Sequence, residues 1–195
     1  MAISYPLNTP TTIGIESITL RAVNATVASQ SPFTFKQQVI AHQGQRWEAS
    51  VSIPSSRRDL SADWVALVVA MKGQVGSFLL GDPDYVTPRG TVSSCVVTGT
   101  AGDGTVSVVM TGTLKAGDYI QLGAGSSARL HKVLVDKNGH GDLEIWPNLR
   151  SSYSSVAAVT NSPKGVFRLS QNVNEWSINN ASAYGISFEA VEVIL

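Results

Sequence analysis

Apolar and polar residues alternate with a period of two in several parts of the chain, which predicts a protein built mainly of β-strands. The clearest alternation covers residues 47–53, where every second side chain is apolar: Trp47, Ala49, Val51 and Ile53. The same pattern at residues 33–39 predicts a preceding strand, joined to this one by a hairpin turn at residues 42–45. Pro54 is expected to end the second strand, and a weaker alternation over residues 13–23 predicts another strand upstream.

One segment has the period of an α-helix. Apolar side chains recur there at the i, i+3, i+4 and i+7 positions of one helical face, namely Trp64, Leu67, Val68 and Met71. Ser61 is a good N-cap, Asp63 follows in the first turn, and Gly73 is typical of the position just beyond a helix C-terminus. We therefore predict one helix from Ser61 to about Lys72, with its apolar face covering a sheet.

The middle of the chain has shorter strands. Residues 76–80 are predicted as a short buried strand and residues 81–84 as a turn. From Thr91 the pattern changes to short Val- and Thr-rich strands at residues 91–98, 105–111, 119–122, 128–136 and 143–146. Asp103-Gly104 and Asn138-Gly139 supply residues that tolerate the positive φ angles of tight hairpins. This spacing predicts a small, partly open β-barrel of the OB type, with a two-layer sandwich as the alternative.

The pattern of longer strands returns after Pro163, at residues 165–169, 173–178 and 184–195. A discontinuous domain accounts for this order. Residues 1–88 and 163–195 would form a β-sandwich hub with one α-helix, and residues 89–162 would form an OB-like β-barrel inserted into it. The predicted fold class is mainly β.

The charge of the chain is sparse and balanced. The 14 Lys and Arg residues equal the 14 Asp and Glu residues, so no basic field attracts nucleic acid and direct nucleic-acid recognition is not expected. Charged residues make up 14% of the chain, which favours a surface covered by neighbouring subunits. No uninterrupted apolar stretch is long enough to span a bilayer, and no export signal is visible, so we expect a soluble protein without membrane insertion.

Residues that could carry chemistry are isolated from one another. The three histidines have no partner at the spacing of metal ligands: His42, His131 and His140. The single cysteine, Cys95, lies in an apolar strand, where a thiol is usually inert. Asp82 and Asp84 flank a proline in a turn, where aspartates commonly cap backbone groups. We therefore expect no catalytic residue, no metal site, no cofactor and no enzymatic activity.

Residues 136–142 partly match a calcium-binding loop, with oxygen-bearing side chains at three ligand positions and Gly141 at the required glycine position. The match fails where Pro147 replaces the bidentate Glu and where strands rather than helices flank the loop. A hairpin tip explains this loop better.

Three aromatic residues lie in or beside the predicted barrel: Tyr119, Trp146 and Tyr153. Exposed aromatic rings stack on sugar rings, so these residues are candidates for contact with a glycan or another partner. Barrel cores also need aromatic side chains. Trp146 directly precedes Pro147 at the end of a strand, so both interpretations stay open for it, with the core role favoured.

Several short motifs occur in a defined order over most of the chain. In the hub segments they are Arg46-Trp-Glu-Ala-Ser-Val-Ser-Ile-Pro54, Asp63-Trp64, Lys72-Gly-Gln-Val-Gly-Ser-Phe-Leu-Leu-Gly-Asp-Pro83, Pro88-Arg-Gly90, Phe167-Arg-Leu169 and Ser187-Phe-Glu189. In the inserted segment they are Leu114-Lys-Ala-Gly-Asp-Tyr-Ile-Gln-Leu122, Arg129-Leu-His-Lys-Val133 and Ile145-Trp-Pro-Asn-Leu-Arg150. Their order resembles the distal tail protein (Dit) family of phages with long non-contractile tails and of related prophage or phage-like particles. None of them is a catalytic signature.

The resemblance implies a structural virion protein. In that family the hub is a β-sandwich with a helix, six copies form a ring that joins the tail tube to the tip and its host-recognition apparatus, and some members carry an OB-like barrel. The implied partners are further copies of the chain, the tube protein and the tip or hub proteins. The implied location is the virion tail tip, after synthesis in the host bacterial cytoplasm. We expect the outer strands and residues 59–73 to help form the ring.

Other functions remain as alternatives. A glycan-binding module would use the barrel to contact a host-surface saccharide, and a ring subunit could retain that activity. Another tail protein, such as the tube subunit, is the closest structural competitor. A hydrolase is disfavoured because no acid-base or nucleophile constellation can be assembled.

Overall fold

The computed structural model describes residues 3–179 and 183–194, which are mostly β-strand. The strands are β1 (Leu7–Asn8), β2 (Ser17–Gln30), β3 (Gln37–Arg57), β4 (Phe78–Leu80), β5 (Ser94–Gly99), β6 (Thr105–Thr111), β7 (Thr113–Leu114), β8 (Tyr119–Leu122), β9 (Arg129–Val133), β10 (Lys137–Asn138), β11 (Gly141–Trp146), β12 (Tyr153–Ala157), β13 (Gly165–Leu169), β14 (Trp176–Ile178) and β15 (Ala183–Glu192). The helical elements in the described residues are α1 (Arg58–Ala70) and a 3₁₀ turn at Gly125–Ser127. The predicted fold class, mainly β with one α-helix, is confirmed.

The hub is built on a curled seven-stranded sheet. Its order is β1-β4-β13-β15-β3-β2, and β14 pairs with the first part of β15. Among the strand pairs that the described residues form in this sheet, only β1–β4 is parallel. The alternation in β3 places four side chains in the hub core, as predicted: Trp47, Ala49, Val51 and Ile53. Phe78, Phe167 and Phe188 from three other strands complete that core.

Helix α1 packs on this sheet through the predicted apolar stripe. Trp64, Leu67, Val68 and the following Met71 are all buried. The Trp64 ring lies 6.1 Å from the ring of Phe188, and its indole N–H donates to the Ile13 carbonyl at 3.0 Å. The predicted start is wrong, because the helix begins at Arg58. Ser61 is inside the helix and buried, and its hydroxyl lies 2.5 Å from that of Ser56 rather than capping the N-terminus.

The inserted segment forms a curled, barrel-like sheet. Its six-stranded sheet has the order β12-β5-β6-β11-β9-β8. The two outer strands meet again where Gln121 of β8 pairs with Val159, just after β12, through two backbone hydrogen bonds of 2.8 and 2.9 Å. The enclosed core is aliphatic apart from its sulfur-containing residues: Cys95, Val97, Val106, Val108, Met110, Leu114, Ile120, Leu122, Val133, Leu143, Ile145 and Leu149.

The barrel core lies directly against the hub core. Tyr119 and Leu130 are in the inserted segment, yet both pack with the hub residues. The indole N–H of Trp47 donates to the Leu130 carbonyl at 2.9 Å. Where the chain enters and leaves the barrel, the Ser162 N–H donates to the Val86 carbonyl at 3.0 Å.

The predicted hairpin turn at residues 42–45 is wrong. Strand β3 runs without interruption through these residues, and the turn lies at residues 31–36. Residues 42–44 form a bulge instead, because Asn24 pairs with Gln45 whereas Thr26 pairs with Ala41. Two extra residues on one strand explain how a glycine-containing segment fits inside a strand.

Pro54 does not end β3, which continues to Arg57. The register of β3 against β15 shifts between Ile53 and Ser56, so Pro54 lies at a bulge. A proline is tolerated there because it is not required to donate a ladder hydrogen bond.

Other strand limits also differ from the predictions. The strands predicted to begin at Thr91 and Val173 begin at Ser94 and Trp176, and the strand predicted over residues 128–136 covers Arg129–Val133. The first predicted strand, over residues 13–23, is shifted to Ser17–Gln30. The terminal strand ends at Glu192, and Leu195 lies outside the described residues. Strand β12, which completes the barrel, was not predicted.

Candidate functional site: an exposed arm and its junction with the barrel

A two-stranded ribbon extends from the hub sheet. We call residues 25–44, the outer halves of β2 and β3 with their connecting turn, the arm. Here β2 and β3 pair only with each other, since the pairing of β3 with β15 stops at Glu48. Ser31 is half-buried, and the side chains of all other arm residues are exposed.

The arm is apolar for an exposed element. Phe33 and Phe35 at the tip are 91% and 72% exposed, and the strands expose three more aliphatic side chains: Val27, Val39 and Ile40. Lys36 is the only Lys, Arg, Asp or Glu residue of the arm. An isolated two-stranded ribbon is marginally stable in water, so an arm of this composition is suited to lie against another protein surface.

The tip has a defined backbone conformation. The Ser31 N–H donates to the Lys36 carbonyl and the Phe35 N–H donates to the Ser31 carbonyl, both at 2.9 Å. Phe35 adopts a φ of 55°, in the left-handed region that a bulky side chain rarely occupies. The turn therefore presents its two phenylalanine side chains from a fixed loop.

The barrel holds the base of the arm. The indole N–H of Trp146 donates to Asn24 Oδ1 at 2.8 Å, and the Asn148 N–H donates to Gln45 Oε1 at 2.7 Å. The Arg150 guanidinium donates to the Gln45 carbonyl. Both strands of the arm are thus fixed at their point of departure by Trp146 at the end of β11 and by Asn148 and Arg150 just after it.

Aromatic side chains fill the junction beneath these hydrogen bonds. Trp47 contacts Trp146 edge-on, with 4.5 Å between ring centroids, and lies 6.1 Å from the ring of Tyr119. Tyr119 also contacts Tyr85 edge-on at 5.3 Å, and the Lys132 ammonium lies 4.4 Å from the centre of the Tyr119 ring. Burial raises the pKa of Tyr85 to about 12, so this phenol stays neutral.

A buried carboxylate links the last hub strand to the junction. Glu192 Oε2 accepts the Trp47 backbone N–H at 3.0 Å and lies 3.8 Å from the Arg150 guanidinium. Burial raises the pKa of Glu192, while the Trp47 hydrogen bond and the positive charges of Arg150 and Arg129 act in the opposite direction. These contacts tie the hub to the barrel.

His131 lies in β9, as the alternation predicts, and is fully buried. Burial lowers its pKa to about 4, so the ring is neutral near pH 7 and Nδ1–H donates to the Pro147 carbonyl at 2.7 Å. The charges of Arg150 and Arg129 also oppose protonation. Nε2 has no hydrogen-bond partner among the described residues.

The three aromatic residues predicted as glycan or partner contacts occupy different positions. Tyr119 is only 6% exposed and Trp146 packs on Trp47, so both belong to the junction. Tyr153 is half-buried against the barrel core. Tyr119 therefore offers no open face for stacking on a sugar, and the three rings do not form a common platform.

The remaining candidate residues have structural contacts. His140 Nδ1 accepts the Met110 N–H at 3.0 Å, and Asp82 Oδ1 accepts the Asp84 N–H at 3.1 Å, the turn-capping role predicted for this pair. Asp136 bonds to Lys115, which lowers the pKa of its carboxyl. Burial raises the pKa of Cys95 to about 11.

Among residues 3–179 and 183–194, no three His, Cys, Asp or Glu side chains are grouped so that they could hold a metal ion. No helix in the same residues is long and apolar enough to cross a membrane. The chain matches no protein-family model and no curated protein. The exposed arm, held at its base by the barrel, is the candidate functional feature.

The sequence interpretation missed the arm. Its signal was present in the apolar residues at positions 33, 35, 39 and 40, which occur in a stretch almost without charge. Interpreting residues 42–45 as a turn divided this stretch and concealed its length.

Proposed function

We propose that this protein is a structural subunit of a phage tail tip. Six copies form a ring that connects the tail tube to the tip and its host-recognition apparatus, as in the Dit family that the sequence resembles. The arm is the observation that carries the ring assembly. It exposes five large apolar side chains on a ribbon that has no partner within the described residues.

Free strand edges give further support. In the described residues, β2 pairs only with β3 and β14 only with β15, so each strand leaves one edge without a neighbour. Exposed strand edges promote contact with other chains. In a closed ring, two different surfaces of each copy contact its neighbours, so such edges can be covered. The zero net charge also favours association.

The ring proposal is tested by the molar mass of the purified protein. Size-exclusion chromatography with light scattering across a dilution series should give a mass near six subunits, and negative-stain images of that peak should show annular particles. A monomer whose mass is independent of concentration would contradict the proposal.

The location in the tail is tested separately. Antibodies against the barrel, coupled to gold and applied to phage particles that contain this protein, should label only the end of the tail furthest from the head. Labelling along the whole tail would identify a tube subunit instead. No observation on the junction favours the glycan-binding alternative.

A further inference from the structure

A cleft at the far end of the hub sheet has the chemistry to receive the arm. Trp176 of β14, 39% exposed, lines a cleft of about 450 Å³ together with Glu16 and Glu175. We call this the β14 cleft. Ile178 of the same strand is 57% exposed, and Val173, which is 79% exposed, lines an adjoining cleft that shares Glu175. Exposed apolar side chains therefore occur close to the two carboxylates.

The arm tip is complementary to this cleft. Phe33 and Phe35 provide aromatic rings that Trp176 can pack against, and Lys36 provides a positive charge for the two carboxylates. Within residues 3–179 and 183–194, neither Lys36 nor Glu175 forms an ion pair. The free edge of β14 also leaves backbone donors and acceptors available to an arriving strand.

A copy cannot fill its own cleft. The tip of the arm joins β3 at Gln37, whereas the β14 cleft lies level with Ile53 of the same strand, because Ile53 pairs with Ile186 and Ile186 pairs with Trp176. The continuous strand between them spans roughly 50 Å at about 3.3 Å per residue. An arm tip that docks in this cleft must therefore belong to another copy.

We propose that the arm tip of one copy docks in the β14 cleft of the next copy. The inference rests on the proposed ring and names the two surfaces that form it. Because the arm and the cleft are different surfaces of the chain, the contact is heterologous, and each copy both gives and receives an arm. Repetition of such a contact closes into a ring when the rotation between copies permits.

Cysteine cross-linking tests which surfaces meet. Thr34→Cys labels the arm tip and Ser177→Cys labels the cleft, and both positions are exposed. The native Cys95 is buried and does not interfere. With a short bismaleimide, the double variant should give a ladder of covalent oligomers, an equal mixture of the two single variants should give dimers only, and each single variant should give none.

The matched control combines Thr34→Cys with Ser107→Cys, an exposed position on the barrel. This pair should give no ladder. Absence of a ladder in the Thr34→Cys/Ser177→Cys variant, or dimers of Thr34→Cys alone, would overturn the proposal.

Substitution at the tip tests the contact energetically. Phe33→Ser/Phe35→Ser should raise the concentration needed for half-assembly by roughly tenfold or more, while the melting temperature of the monomer stays unchanged. Val109→Ser, which removes an exposed apolar side chain from the barrel, should have no effect on assembly. Lys36→Glu should also weaken assembly, and addition of Glu175→Lys should restore it.

The two proposals fail in different ways. If the native protein forms annular particles and Phe33→Ser/Phe35→Ser forms them equally well, the arm contact is wrong and the ring stands. If the native protein is monomeric at every concentration, the ring fails and the arm contact fails with it.

Discussion

The indole N–H of Trp146, the last residue of β11, donates to Asn24 Oδ1 at the base of the arm across 2.8 Å. This hydrogen bond joins residues from the hub and from the inserted barrel. Together with the bonds from Asn148 and Arg150 to Gln45, it sets the direction in which the arm leaves the sheet. The barrel therefore helps to hold the base of the arm in position.

Trp146→Phe should loosen the arm without disrupting the junction. The phenyl ring can still contact Trp47, but the hydrogen bond to Asn24 is lost, so the free energy of unfolding should fall by about 0.5–1.5 kcal/mol. Amide hydrogen exchange should accelerate in residues 25–44. Val109→Ser, an exposed change on strand β6 of the barrel, is the control and should leave exchange in the arm unchanged. Equal exchange rates in the native chain and in Trp146→Phe would show that this bond does not restrain the arm.

Trp64→Ala should destabilise the hub by about 3–5 kcal/mol, because a large side chain that is 1% exposed would leave a cavity between α1 and the sheet. Urea unfolding monitored by circular dichroism measures this loss. Val69→Ala, on the exposed side of the same helix, should change stability by less than about 0.5 kcal/mol. A loss below about 1 kcal/mol for Trp64→Ala would contradict the packing described for the helix.

Acid should destabilise the protein through His131. Its pKa is about 4 in the folded chain against 6.5 ordinarily, so between these values the unfolded chain binds a proton that the folded chain excludes. The free energy of unfolding is therefore unaffected by protonation of His131 above pH 6.5 and falls as the pH drops toward 4. The total decrease is about 3 kcal/mol. The raised pKa of Glu192 acts in the opposite sense, because the folded chain takes up that proton more readily.

Comparison with His131→Gln separates these contributions. Glutamine can donate to the Pro147 carbonyl but does not titrate, so the stability of this variant should depend less on pH between about 6.5 and 4.5. Urea unfolding at several pH values gives the difference. Parallel curves for the two proteins would show that His131 is not the group responsible.

Gly90→Ala should destabilise the start of the barrel by about 1–3 kcal/mol, since an added methyl group would collide with the Thr113 carbonyl. Gly14→Ala is the matched control, because no atom lies within 4 Å of its added methyl group. The control should be neutral or more stable by up to about 1 kcal/mol. Thermal unfolding of both variants measures the difference, and equal melting temperatures would contradict the close approach at Gly90.

Local sequence patterns correctly predicted those strands and helix faces whose burial can be inferred without knowing which segment packs against them. Trp47, Ala49, Val51 and Ile53 repeat with a period of two, and the structure places all four in one core. The stripe through Trp64 gave the buried face of α1 correctly. Its start was misplaced because Ser61 has a hydroxyl suited to capping, whereas the structure uses that hydroxyl in a buried contact with Ser56.

Contacts between distant residues could not be predicted in this way. The glycine at position 44 favours a turn locally, but pairing with β2 accommodates the segment as a bulge inside a long strand. Tyr119 belongs to a barrel strand by pattern and to the hub core by contact with Trp47. The hydrophobic periodicity of neither segment predicts this contact between Tyr119 and Trp47, because the contact depends on how the two sheets pack against each other.

The hydrogen bond between Ser162 and Val86 brings the two ends of the inserted segment together at one point of the hub. An insertion with adjacent ends can be exchanged or enlarged without changing the pairing of the strands on either side. This barrel, however, contributes Tyr119 and Leu130 to the core around Trp47. A replacement module would have to supply an aromatic and an aliphatic side chain at that contact, so shape at the hub surface limits which modules evolution or an engineer can graft there.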